Sequence, residues 1–190
     1  MPISLPIDPE AGALLERSPL ALLIAMLLDQ QVPLERAFAA PYELARRLGR
    51  DLDAEDLARY DPDALVAVFG DRPALHRYPK VMAGRVQALS RAVLERYDGV
   101  AERVWTEAAT GRELLKRVGD LPGFGDQKAR IFVALLGKRL GVRPEGWREA
   151  AGPYGDEGAY RSVADIVDEE SLGRVRAYKQ EMKAAAKARA

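Results

Sequence analysis

The chain of 190 residues has no cysteine and a single histidine, His76. Without thiolates it holds no disulfide, no cysteine-bound iron–sulfur cluster and no zinc–thiolate site. One imidazole argues against a histidine-based metal site or catalytic triad, and no metal is expected. β-branched residues are sparse and never alternate over a run, so no strand is predicted and the fold class expected is all-α. No apolar run is long enough to span a bilayer; the longest covers residues 20–28. The start, MPISLPIDPE, lacks the basic and apolar regions of a signal peptide, which predicts an intracellular, cytoplasmic protein with no membrane partner. Net charge is absent too, with 29 Lys and Arg against 29 Asp and Glu, and that alone argues against a nucleic-acid partner.

The charges are nevertheless segregated. Residues 1–71 hold 6 Lys and Arg against 13 Asp and Glu, a balance of −7; residues 72–139 hold 14 against 7, a balance of +7; residues 140–190 hold 9 of each. A phosphate-binding surface would draw its cations from the middle segment.

Helix signals run along the whole chain. Ser18-Pro19 is an N-cap followed by proline at the first helical position. The run over 20–28 is apolar on all sides and predicts a central helix, ending in Asp29-Gln30-Gln31. A helix over 34–40 follows Pro33, and a separate short one over 41–48 closes at Gly49. Asp53, Glu55, Asp56, Asp61 and Asp63 stand at helix starts, where acids complement the dipole, and read as caps. Arg77 and Lys80 precede or open a long helix over 81–97; each is either a phosphate contact or a solvated charge. His76 reads as a surface or partly buried polar residue, and Trp105 as core. After Gly141 a stretch rich in Gly, Pro and aromatics reads as a structured connection, followed by a last helix over about 172–186 with a fraying basic tail.

The most informative stretch is 118–137, VGDLPGFGDQKARIFVALLG. Leu121-Pro122-Gly123-Phe124-Gly125 is a glycine-framed turn between a short helix over 111–118 and an apolar-faced helix. A turn of this kind directs its free backbone N–H groups, with those of the next helix's first turn, toward an anion.

LPGFGDQKA resembles the helix-hairpin-helix of the base-excision DNA glycosylases, the superfamily that includes endonuclease III and the alkyladenine glycosylases. LLIAMLLDQQVPLERAF resembles the second signature of that superfamily, an apolar helix ending in a glutamine that fills the DNA stack where a damaged base has been expelled. Gln31 occupies the matching place, with Gln30 the alternative one register away. The likeness covers roughly residues 18–140 and is loose beyond them.

The resemblance implies one all-α unit over 1–190 with two lobes: a helical barrel over 20–137 carrying the hairpin at 111–137, and a second lobe from 1–19 plus 138–190. It implies a monomer, nucleoid-associated, with double-stranded DNA in the cleft. Gly123, Phe124, Gly125, Gln127, Lys128 and Lys80 would meet the DNA. No cofactor is required; relatives can hold an alkali cation on hairpin carbonyls, and the resemblance admits one here.

The chain departs from the family pattern twice. Gln127 fills the position of the lysine that gives bifunctional members their strand-cleaving activity, and Lys128, one residue later, points about 100° away on a helix. Lys128 then reads as a phosphate contact or a surface charge. The window for the family's aspartate holds Glu145, Gly146 and Trp147. Glu145 is the preferred substitute, with Glu149, Asp156 and Asp165 as further acids. Trp147 and Tyr154 either line a base pocket or bind the connection to the core. The expected function is a monofunctional DNA glycosylase in base-excision repair. The alternative is a DNA-binding protein that has lost catalysis, and a third reading is a helical protein-interaction module.

Overall fold

Ser18 serves two helices at once: its backbone N–H closes α1 (Pro9–Arg17) on Leu14 O at 2.8 Å, and its hydroxyl caps α2 (Pro19–Leu28) by accepting from Ala21 N at 3.2 Å. The computed structural model describes residues 3–189, and all regular structure in them is helical. α2 is apolar on every side and buried from Leu20 to Leu28, so it needs neighbours all round. It finds them in α1, in α3 (Leu34–Leu48) and in α6 (Pro79–Tyr97).

α3 corrects one expectation, since residues 34–48 form a single helix with Pro41 inside it. Pro41 removes one helical hydrogen bond, and burial of Ala37, Phe38, Ala40 and Leu44 along the same face outweighs that loss. Gly49 closes the helix at φ 67°, as the sequence predicts. α4 (Ala54–Arg59) and α5 (Pro62–Gly70) pack on α6. Asp53 and Asp61 cap them, accepting from Asp56 N and Ala64 N at 2.9 and 2.8 Å.

A short α7 (Arg103–Thr106) leads to α8 (Gly111–Gly119), the hairpin, and α9 (Asp126–Arg139). Trp105 meets Phe132 of α9 edge-on at 5.8 Å and is core, as expected. The following connection contains a helix the sequence reading did not resolve, α10 (Trp147–Ala151), packed on α8 and α9. The fit is tight: a Cβ on Gly137 would lie 2.3 Å from the Trp147 ring, and one on Gly111 would lie 2.4 Å from Gly146 O. A 3₁₀ turn, Val163–Asp165, lies on α9 and leads to α11 (Glu169–Ala188), three residues longer at its start than the pattern suggested. Only Ser171, Leu172 and Val175 of α11 are buried. No single described helix is long and apolar enough to cross a membrane; α1 and α2, which together have the length and composition, are bent by 115° at their junction.

Candidate nucleic-acid interface

The end of α2 is held open by side chains from distant parts of the chain. Asp29 N donates to Ala25 O as the last helical bond, and Gln31 then adopts φ 56°, a left-handed conformation uncommon for a side chain of its size. Leu27 O accepts from both Gln30 Nε2 at 2.8 Å and Lys128 Nζ at 3.0 Å. His76 stands behind the turn, 1% exposed, with Nε2 3.1 Å from Leu28 O and 3.0 Å from Gln30 O. Both partners are carbonyls, so Nε2 carries the proton and donates to them, while Nδ1 accepts from Tyr78 N at 3.0 Å. His76 is therefore a fully buried structural residue and not a surface one. Burial pushes its pKa below the ordinary value, although the two carbonyls act the other way.

The loop that carries His76 is fixed from α3. Arg47 donates to Val68 O at 2.8 Å, Asp71 O at 3.0 Å and Pro73 O at 2.6 Å. The loop then delivers Tyr78, whose hydroxyl reaches Gln31 Oε1 at 3.2 Å, while Arg85 of α6 donates to Gln30 Oε1 at 2.7 Å.

The hairpin docks against this same end of α2. Gly123 has φ 83° and is exposed on one side, with Leu27 against the other. The side chain of Phe124 is buried and meets Phe132 edge-on at 5.9 Å, so it is not presented at the surface of the turn. Gly125 is the N-cap of α9 and supplies no side-chain acceptor to the first-turn N–H groups, which leaves them for an anion. Gln127 is exposed and donates to the Tyr154 hydroxyl at 2.9 Å. Lys128 is half-buried, and burial lowers its pKa, partly offset by Asp29.

The glutamine turn and the first turn of α9 share one cleft of about 800 Å³, whose lining does not include Gly123, Phe124 or Gly125. Gln30 and Gln31 form one wall, Gln127 and Lys128 another, and Lys179 and Lys183 of α11 a third, with Arg77 at the rim. Asp29 is its one acidic lining residue among those described. Arg176, Lys179, Lys183 and Lys187 follow at helical spacing, so a basic stripe runs from the cleft along α11.

Other residues singled out in the sequence lie elsewhere. Glu145 is exposed at the start of α8, where its carbonyl accepts from Gly111 N at 2.7 Å; with Thr110, Arg112 and Glu149 it lines a separate cavity. Asp165 is engaged by Lys138 Nζ at 2.6 Å, and Asp156 by Arg161 at 2.9 Å. None of these four acids lines the cleft with the glutamines. Trp147 is buried against Gly137, with the Arg148 guanidinium 4.6 Å over its ring, and so binds the connection to α9. Tyr154 reaches the cleft only through Gln127. Lys80 is exposed in the first turn of α6 and outside the cleft lining.

Sequence reasoning missed Asp29, Lys179 and Lys183. Asp29 reads as part of a polar helix end, Lys179 as an unremarked position in the last helix, and Lys183 as the start of its basic Ala/Lys tail. Their common spacing on one helix face was the available signal for the lysines; nothing local marks Asp29, because its surroundings come from α9 and α11. Among the described residues no group of three His, Asp or Glu is placed to hold a metal. Comparison with protein-family models, curated proteins and solved structures returns no match.

Proposed function

We propose that this protein is a monofunctional DNA glycosylase of helix-hairpin-helix type, which binds duplex DNA across the cleft, expels one damaged nucleotide and hydrolyses its N-glycosidic bond. One observation carries the reading: the glutamine turn after α2 and the first turn of α9, about a hundred residues apart, meet at one cleft lined by four cations. The exposed Gly123 and Gly125 and the uncapped start of α9 suit a phosphate, and Gln31 suits the gap left by an extruded base. Gln127 in place of a lysine suits base release without strand cleavage.

A second reading, a DNA-binding protein without catalysis, draws on one observation, the distance of Glu145 from this cleft. Base release from a panel of duplexes carrying alkylated, deaminated or oxidised bases separates the two. The glycosylase reading expects release that leaves the strand intact until alkali is added. It also expects binding that weakens steeply with salt, as phosphate contacts require. Salt-sensitive binding with no release from any lesion supports the second reading, and absence of salt-sensitive binding overturns both.

A further inference from the structure

The interior acid of the folded chain and the acids at its helix starts already have partners. Asp165, with its side chain 5% exposed, accepts from Lys138 Nζ at 2.6 Å, Arg161 N at 2.9 Å and Ser162 N at 3.1 Å. Glu35 is paired with Arg176, and Asp8, Asp53, Asp61 and Asp168 cap helices. Asp29 differs. Its side chain is only 16% exposed, its nearest cation is Lys179 Nζ at 3.9 Å, and no described donor lies within hydrogen-bond distance of its carboxylate. A largely buried carboxylate with unused acceptor positions, facing an open cleft, is set up to accept from something that enters the cleft.

We infer that Asp29 is the catalytic carboxylate of the cleft, acting on the flipped nucleotide as the base that deprotonates the attacking water. This rests on the glycosylase reading and names the acid which that reading lacks. The water oxygen forms a bond to the sugar C1′ while the C1′–N bond breaks, and its electron pair leaves with the damaged base. One water proton passes to the Asp29 carboxylate and from there to the departing base, so that the net reaction adds one water across the bond. As positive charge grows on the sugar, the ionised Asp29 also stabilises it.

The surroundings suit a general base. Burial and Glu35 of α3 raise the Asp29 pKa, while Lys179 of α11 and Lys128 of α9 lower it. Lys183 and Arg77 face the same space, and His76 lies behind the turn. The raised value brings Asp29 closer to working pH than an ordinary carboxylate, which favours proton transfer.

The test uses the full chain and a duplex whose lesion the wild type releases. Single-turnover release, duplex affinity and thermal stability are measured for Asp29→Asn, Asp29→Glu and Glu145→Gln. Asp29→Asn is expected to slow release by about 100-fold or more, with duplex affinity held or improved because an anion has gone from a basic cleft. Asp29→Glu restores part of the rate, and Glu145→Gln changes nothing. The wild-type rate rises with pH through an acidic group, and the dependence flattens in Asp29→Asn. Release that survives Asp29→Asn, or a loss matched by lost affinity or unfolding, overturns the assignment alone. Salt-sensitive binding by a wild type that releases no base overturns the glycosylase reading and the assignment together.

Discussion

Gly123 of the hairpin stands so close to Leu27 of α2 that a Cβ on it would lie 2.2 Å from Leu27 Cδ1. The contact joins the two motifs of the cleft directly. Gly123 also has φ 83°, where any Cβ is strained. Gly123→Ala therefore combines overpacking with backbone strain and is expected to cost about 2–4 kcal/mol. In a chain of this size that lowers the melting temperature by roughly 4–16 °C. Gly125→Ala is the contrast, since its added Cβ meets nothing within 4 Å and its φ is −71°. Stability should change by less than about 1 kcal/mol while duplex affinity falls, because a phosphate must approach this backbone closely. Calorimetry and duplex titration of both variants check the pair.

Gln31 holds its left-handed conformation against its own preference, and such outliers cost about 1–3 kcal/mol. Gln31→Gly should leave stability unchanged or raise it, by up to about 1 kcal/mol, since glycine accepts the conformation and only an exposed contact to Tyr78 is lost. Base release should fall at least about tenfold, because an unfilled gap in the stack forfeits stacking energy. Urea unfolding beside single-turnover kinetics reads both effects. A loss of stability without a loss of release would make Gln31 a structural residue only.

His76 gives the fold a pH dependence of definite sign. Its folded pKa lies below the ordinary value of 6.5, so below about pH 6.5 the unfolded chain binds the proton more readily than the native one. Stability is complete above that pH and declines as pH falls toward the folded pKa. Protonation also ends the acceptance of Tyr78 N by Nδ1, which releases the loop beside Gln31. His76→Gln should cost about 1–3 kcal/mol at pH 7.5 by stranding the buried groups it serves. It should also remove the part of the pH slope below about 6.5 that the wild type owes to this group, read in urea titrations.

Lys179 and Lys183 reach the cleft from α11 and lie on its exposed portion, with Lys179 3.9 Å from Asp29. Replacing both with Gln should leave the melting temperature within about 2 °C. If each neutralises one phosphate, the slope of log affinity against log salt becomes shallower by about 2 in all, at roughly 0.9 per phosphate. Titrations at several salt concentrations, with wild type and double variant in parallel, measure that change.

Where structure depends on neighbours in sequence, the chain could be read closely. Ser18, Asp53, Asp61 and Gly49 cap the helices they were expected to cap, and the apolar run over 20–28 is the buried helix its composition demanded. Pro41 misled because propensity is local, whereas the burial that carries α3 through it comes from α1 and α2. Glu145 lies outside the glutamine cleft for a similar reason. Counting from the hairpin to Glu145 assumes a regular connection, but close packing of Trp147 on Gly137 and of Gly146 on Gly111 folds that segment against α8, away from the glutamines. Asp29 was passed over because a single acid after an apolar helix looks like any helix end until α9 and α11 are laid beside it.

Beyond Val175, α11 has no buried residue; Arg176 pairs with Glu35 and Lys179 with Asp29, and residues 180–188 extend past them for about 14 Å at 1.5 Å per residue. A free helix of that length is marginal in water, and Lys179, Lys183 and Lys187 repel one another at i,i+4 spacing. Salt then acts on the arm with two signs: it screens the lysines from each other and firms the helix, and it screens them from a polyanion and loosens the grip. At low salt the unscreened repulsion is expected to weaken the arm's helix, which then firms as it binds. A double-logarithmic salt plot of duplex affinity should therefore flatten at its dilute end, and the flattening measures the winding of the arm.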